Sequence, residues 1–308
     1  MFRTVFCHVD YAQSPFWRGV KRALWLDHGL RHGLAWPRRR QESSIKTVNI
    51  NPSIAYKVSD TFSIGGGLNI QKINAKLSSD LGVFGRGLFT LKADDVGYGF
   101  NVGATFQPAA GTRIGAHYRS SIKYKLDGTA TFSTFAAGNG PAMADLKTPD
   151  SASLSVLHQA TPNLEVMADL TWTKWSNLQQ LDAVYKTGVP LTSLQFRWDD
   201  TLRFGVGANY RLNDQTKLRL GLAYDKTPTN DVDRTPRLPD QDRTWLAFGV
   251  QFKPSKQGTL EIAYAHEFVK NARISATSVA PLTCPANCLS GTFKDKADIL
   301  SIQYSHTF

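Results

Sequence analysis

Apolar and polar residues alternate with a period of two along most of this chain, and that pattern restricts the fold more than any other feature. In the last strand Leu300, Ile302, Tyr304, His306 and Phe308 share one side, and Ile299, Ser301, Gln303, Ser305 and Thr307 share the other. Successive strand side chains point to opposite faces, so bulky residues on one face and small polar ones on the other suit a sheet with lipid outside and water inside. The even positions repeat this from residue 46 onward. They run through Val48, Ile50, Ile54 and Tyr56, then Phe62, Ile64, Leu68 and Ile70, then Val96, Tyr98, Phe100, Val102 and Phe106. Ile114, Tyr118, Ile122 and Tyr124 read as the fourth strand, and seven more follow, giving eleven. The fold class expected is therefore all-β: a transmembrane antiparallel β-barrel. A soluble sandwich or barrel is the alternative, because its core face alternates as well.

Two features favour the membrane. Aromatic residues (Tyr56, Phe62, Tyr98, Phe106, Tyr118, Trp172, Tyr210, Tyr224, Phe252 and Phe308) sit near strand ends, where barrels of this kind carry aromatic girdles. The strands also reach about ten residues, the length a tilted strand needs to cross the hydrocarbon. Short turns at 59–60, 107–111, 160–163, 213–216 and 253–258 alternate with long excursions at 78–95, 127–150, 176–200, 226–242 and 269–295. Short turns face the periplasm and long loops face outward, which puts the carboxyl terminus on the periplasmic side.

A mean hydropathy of −0.28 and the lack of any apolar run near 18 residues exclude a helical membrane protein. The net charge of +11 raises nucleic acid as a partner, but residues 1–45 hold eight basic and three acidic residues and so carry +5 of it. No nucleic-acid partner is expected. Cys284 and Cys288 lie in the last long loop as Cys-Pro-Ala-Asn-Cys, an oxidising position at the cell surface, and read as a disulfide more than as a metal site, which would need two further ligands. No enzyme is indicated: His158, His266 and His306 fall on the outer face, His117 lies among Arg and Lys, and no phosphate loop, dinucleotide fingerprint or metal constellation appears. No cofactor is implied.

Residues 1–44 follow none of these rules. The segment is rich in Trp, His and Arg, lacks strand alternation, and holds no apolar stretch of secretory-signal length, Ala23-Leu-Trp-Leu26 coming nearest. It is expected to be disordered or foreign to the barrel of 45–308, from a truncated or shifted reading frame or a wrongly chosen start.

From about residue 44 the chain resembles the long-chain fatty acid outer-membrane transporters, the FadL type, which includes toluene and xylene transporters. The motifs carrying the resemblance are Ile50-Asn-Pro-Ser-Ile-Ala-Tyr-Lys57, Ser63-Ile-Gly-Gly-Gly-Leu-Asn69 with Ala75-Lys-Leu77, Gly97-Tyr-Gly-Phe-Asn-Val-Gly103, Tyr118-Arg-Ser120 and Thr171-Trp-Thr-Lys-Trp-Ser176. Trp198-Asp-Asp-Thr-Leu-Arg-Phe204 and Tyr224-Asp-Lys-Thr-Pro228 follow, then Arg234 and Leu238-Pro-Asp-Gln-Asp-Arg-Thr-Trp245, the most specific run. The resemblance implies a fourteen-stranded barrel plugged by an amino-terminal hatch, of which eleven strands are present here: an incomplete barrel. It implies passive uptake of long-chain fatty acids or other hydrophobic small molecules, with a porin for polar solutes or a surface receptor or adhesin as the alternatives. It also implies contact with outer-membrane lipid and lipopolysaccharide, and recognition by the barrel assembly machinery through Phe308.

A fatty acid needs an apolar cleft for its tail and a cation or donor for its carboxylate. Beyond Ile70 the second strand inverts, with Ile73, Ala75 and Leu77 on the odd side. This suits an apolar cavity near the outer mouth, or a β-bulge that shifts the register. Phe84, Leu88 and Phe89 in the following loop would extend the apolar surface. For the carboxylate, Ser78 and Ser79 stand where the family suggests a basic side chain, and Lys76 is the nearest cation. Arg113, His117, Arg119, Lys123 and Lys125 read as a lumen-facing ladder on the fourth strand, of which Arg119 and Lys123 are the candidate ligands. Arg203, Arg211 and Arg219 add cations on later strands, and Glu165, Asp169, Asp225 and Glu261 are available as partners. Trp175 and Trp245 point inward by parity. Asp225, Pro228, Arg234, Pro239, Asp240, Asp242 and Arg243 are expected to pin a long surface loop.

Overall fold

A computed structural model of the chain describes residues 3–10, 41–81, 87–235, 238–255, 257–274 and 291–307. Phe84, Cys284, Cys288 and Phe308 lie outside the described residues. The strands are β1 (Arg3–Asp10), β2 (Gln41–Lys57), β3 (Phe62–Asp80), β4 (Leu88–Ala109), β5 (Thr112–Arg119), β6 (Lys123–Phe132), β7 (Gly140–Lys147), β8 (Ser151–Thr161) and β9 (Leu164–Thr173). They continue with β10 (Gln180–Tyr185), β11 (Pro190–Gln195), β12 (Thr201–Arg211), β13 (Thr216–Asp225), β14 (Arg243–Phe252), β15 (Gly258–Val269), β16 (Ala272–Ile274), β17 (Gly291–Phe293) and β18 (Lys296–His306).

Eleven strands form the transmembrane wall in the order β2-β3-β4-β5-β8-β9-β12-β13-β14-β15-β18, every neighbour antiparallel. Among the described residues no pairing joins β18 to β1 or β2, so the sheet stays open. The even face of the wall is the outer one. Phe100, Leu220 and Tyr304 are 46%, 51% and 59% exposed, values that place the apolar face outside the protein and dispose of a packed soluble core. On β4 the belt runs from Phe106 to Val96. At a rise of about 3.3 Å per residue and the usual tilt of ~40°, those residues span about 25 Å, the height of a barrel's apolar band. Short hairpins close the wall at one end, as at Ser59, whose hydroxyl accepts from the Thr61 and Phe62 amides.

The other end is more than a set of loops. β4 divides its partners: Asn101–Ala109 pairs with β5, whereas Phe89–Asp94 pairs with β6. From β6 the sheet continues through β7 and β10 to β11. Upper β2, β3 and β4 with these four strands make an extracellular extension of the wall, built from the excursions at 78–95, 127–150 and 176–200. The fourth strand expected from alternation is therefore two strands. The lower register pairs Asn101 with Arg119, the upper one pairs Asp94 with Asp127, and the two differ by one residue. A one-residue slip sends every side chain to the opposite face, so Ile122 and Tyr124 turn inward and are buried while Lys123 and Lys125 are exposed on the outside. The lumen position expected of Lys123 is overturned for this reason.

Close approach of backbone makes the branch possible. A Cβ on Gly128 would lie 1.9 Å from the Lys92 carbonyl oxygen and 2.6 Å from Ala93 Cα, so only glycine lets β6 dock on β4 there. At the opposite edge, Arg3–Asp10 pairs with β2, in the segment expected from the sequence to hold no strand; Val5, Cys7 and Val9 are its alternating apolar positions.

Candidate functional site

Read downward along the inward odd positions of β3, the wall passes through three tiers. Leu77, Ala75 and Ile73 are apolar, Gln71 and Asn69 are amides, and Gly67, Gly65 and Ser63 are small. Pairing of β3 with β4 runs from Phe62↔Phe106 to Asp80↔Leu88 without a register shift. The inversion beyond Ile70 is therefore a change of environment and not a bulge.

The top tier is a closed apolar cluster on the inner face of the extension. It joins Ile73 with Phe89, Leu91, Ile122, Tyr124, Leu126, Phe132 and Leu146, and with Leu178, Phe196, Trp198 and Leu238 from the loops; Leu77, Trp175 and Tyr185 border it. Phe89 and Phe132 have ring centroids 5.1 Å apart, Phe196 and Trp198 4.7 Å, and Trp175 meets Trp198 edge-on at 5.3 Å. Phe89, expected in a loop, is a buried strand residue. Leu88 is its exposed neighbour. Trp175 opens a short 3-10 turn, Trp175–Asn177, at the border of the cluster. Lys76 is corrected: as an even residue it lies on the outer face of β3, opposite Lys92 and turned away from Ile73 and Leu77. Nearness in sequence placed it beside the cluster, and strand alternation removes it.

The middle tier is polar and buried. Asn69 Oδ1 accepts from Asn49 Nδ2 at 3.1 Å, Asn51 Nδ2 at 3.2 Å and Arg119 Nη2 at 3.2 Å. Just above, the Tyr124 hydroxyl donates to Gln71 Oε1 at 2.7 Å, and burial holds its phenol well above the ordinary value. Asn49 and Asn69 escaped the sequence reading because an amide on the lumen face looks like any other polar wall residue.

Below lies an open groove of about 480 Å³ lined by Asn51, Ser53, Ser63, Gly65, Asn101, Gly103, His117, Ser153 and Ser155. A second, of about 390 Å³, is lined by Asp169, Arg203, Gly205, Gly207, Arg219, Gly221, Trp245 and Gly249. No residue of the apolar cluster lines either groove, so neither groove is part of the cluster. The later cations are paired across the lumen face: Arg203 with Asp169 at 2.9 Å, Arg219 with Glu261 at 2.8 Å and Lys217 with Glu165 at 3.4 Å.

The loop at 226–242 is anchored by charge. Buried Arg234 donates to the Asp240 carbonyl at 2.8 Å and the Arg273 carbonyl at 2.9 Å, and pairs with Asp231. Asp240 accepts from the Thr227 hydroxyl at 2.6 Å. Asp242 accepts from Tyr224 at 2.7 Å, the Thr227 amide at 3.1 Å and Lys270 at 3.0 Å. Burial opposes ionisation of Asp242, but these bonds win and lower its pKa. Arg243 bridges Asp225 at 3.0 Å and Glu267 at 3.4 Å. The Pro228 carbonyl accepts from the Asp199 amide at 3.1 Å, and Pro239 is buried beside Leu238.

A second hub, not singled out by the sequence, joins extension to wall. Asp150 accepts from Tyr118 Oη at 2.7 Å, the Ser121 amide at 2.9 Å and Asn177 Nδ2 at 2.7 Å. Burial alone would raise its pKa, yet those three donors and the Lys147 charge hold it at about 2.

An antiparallel wall with an apolar belt outside, paired charges inside and an extracellular strand extension defines an outer-membrane β-barrel protein. The chain belongs to the outer membrane protein transport protein family (OMPP1/FadL/TodX), whose profile matches residues 38–308. It is similar to a Pseudomonas aeruginosa FadL homologue of known crystal structure, with 27% identity and a TM-score of 0.74 over 86% of this chain and 68% of that one. It is 26% identical over 260 residues to outer membrane protein P1 of Haemophilus influenzae (strain ATCC 51907 / DSM 11121 / KW20 / Rd), covering 73% of this chain and 56% of the relative. With the long-chain fatty acid transport protein of Escherichia coli (strain K12) it shares 24% identity over 278 residues, 76% of this chain and 62% of the relative. The chain thus spans between about half and two thirds of the curated relatives it matches, from 52% to 62%. The work of this family is transport and not catalysis.

Proposed function

We propose that the chain forms the wall and outer mouth of a passive conduit for hydrophobic molecules, with long-chain fatty acids as the favoured substrate. One observation carries the reading: below the apolar cluster around Ile73, Leu77 and Phe89, β3 continues down to Asn69, whose side-chain carbonyl accepts from the guanidinium of Arg119 on β5. An acyl tail placed among the aromatics leaves its carboxylate at the height of Arg119, where a charge-assisted hydrogen bond is available. The cluster is shut by its own side chains, so Phe89, Phe132 and Trp198 must part to admit a tail. The Escherichia coli relative, named a long-chain fatty acid transport protein, supports this choice of substrate.

The test is binding of a fluorescent fatty acid to the detergent-folded chain and to Arg119→Leu. Loss of about tenfold in affinity for the acid, with an uncharged alkane probe unchanged, is the expected result. Equal affinity of both proteins for the acid removes Arg119 from the site. Sugar flux into liposomes without fatty acid binding would favour a polar-solute pore instead.

A further inference from the structure

The outward face of the extension carries a feature that transport does not use. Lys46, Lys72 and Lys92 stand on three adjacent strands, β2, β3 and β4, within three rungs of one another: Lys46 is opposite Asn74, Lys72 is opposite Val48 and Val96, and Lys92 is opposite Lys76. All three are exposed on the outer face. Among the described side chains the carboxylate set among them is Asp94, which meets Lys72 at 3.4 Å; the next one along the sheet, Asp127 opposite Asp94, is held by Lys186 at 2.5 Å. Positive charge is therefore in excess.

Height gives this cluster its meaning. Lys72 shares its rung with Val48 and Val96 at the top of the apolar belt, and directly beneath lies the rung Ile50↔Ile70↔Tyr98, with Tyr98 70% exposed. A ligand seated here meets cations above and hydrocarbon-facing side chains below on the same strands. On β15 and β18 the outer face carries instead a carboxylate, Asp298, which accepts from Tyr264 at 2.6 Å and pairs with His266 at 2.6 Å, with Lys296 as the cation next along that face.

We propose that Lys46, Lys72 and Lys92 bind the phosphate groups of a glycolipid of the outer leaflet, whose acyl chains lie along Ile50, Ile70 and Tyr98. A soluble anion has no use for the belt, and an uncharged lipid has no use for the lysines. The juxtaposition of the two on one face is what selects a phosphorylated amphiphile. Lysines near an anionic surface each contribute about fivefold in affinity, so three give roughly a hundredfold, weakened as salt shortens the screening length.

The experiment measures retention of purified bisphosphorylated lipid A by the full chain folded in neutral maltoside micelles. It is compared with dephosphorylated lipid A, with inorganic phosphate alone, and with a Lys46→Gln/Lys72→Gln/Lys92→Gln variant. Expected are tight retention of the phosphorylated form by the wild type, a drop of about a hundredfold for the dephosphorylated form, and the same drop for the variant. A matching Lys→Arg triple variant should keep retention, and so separates loss of charge from loss of fold. Equal retention of both lipid A forms overturns the proposal, as does full retention by the glutamine variant. Competition by millimolar inorganic phosphate in the absence of any lipid preference would reassign the lysines to a free-anion site.

Discussion

Replacing Asp150 by Asn tests how the extension is held to the wall. Its carboxylate ties the end of β5 through Tyr118, the crossover through the Ser121 amide and the turn through Asn177. A carboxyl drawn from 3.8 to about 2 on folding corresponds to about 2.4 kcal/mol. Asp150 is partly open to solvent, so screening reduces the expected loss to about 1–1.5 kcal/mol. The folded pKa lies below the unfolded one. The stabilisation is therefore complete above pH ~4 and drains away as pH falls towards 2. Thermal unfolding of the detergent-folded protein should show Asp150→Asn melting roughly 3–5 °C below wild type at pH 7 and at pH 5. That gap should narrow steadily between pH 4 and pH 2, because acid removes the charge from the wild type and has nothing to remove in the variant. Protease should also cut the variant faster within residues 120–150 while leaving the wall intact. A gap of constant size from pH 7 to pH 2 would refute the assignment of a stabilising charge to Asp150.

Further substitutions address the branch and the belt. Gly128→Ala drives a methyl into the Lys92 carbonyl and should cost about 1–3 kcal/mol or more, seen as faster amide hydrogen exchange in β6 with exchange in β12 and β13 unchanged; uniform exchange changes would argue against a local branch. Leu220→Arg places a charge on the exposed outer face near the middle of the belt and should cost about 2–4 kcal/mol in liposome folding titrations. Arg219→Gln, which breaks a half-exposed pair with Glu261, should cost about 1 kcal/mol or less. The reverse ranking would turn the wall inside out.

Much of the wall is legible in the sequence, since lipid and water impose a binary choice at each position. Phe100, Leu220 and Tyr304 could stand only where they do once Asn101, Arg219 and Gln303 were given to the lumen. The site was less legible. Ile73 and Leu77 announced themselves by breaking the parity rule, and Trp245 followed it into a lumen groove. Lys123 failed, because parity holds only within one register and Ser120 and Ser121 carry the chain into another. Lys76 failed because adjacency in sequence is opposition across a strand. Asn49, Asn69 and Asp150 gave no signal at all, since a hydrogen-bonded hub consists of partners 18 to 50 positions apart for the amides and 27 to 32 for the carboxylate.

Sequence by itself determined which faces meet lipid and the eleven alternating strands of the wall, and it set the expectation of which end faces the periplasm. Each of these follows from local periodicity and loop length. Tertiary structure alone decided that three excursions fold into one extracellular sheet, that a single strand changes partners at its midpoint, and that an apolar lining sits above an amide and guanidinium band. Those depend on pairing between distant segments, where a one-residue offset reverses every face and only the backbone register chooses between the two outcomes.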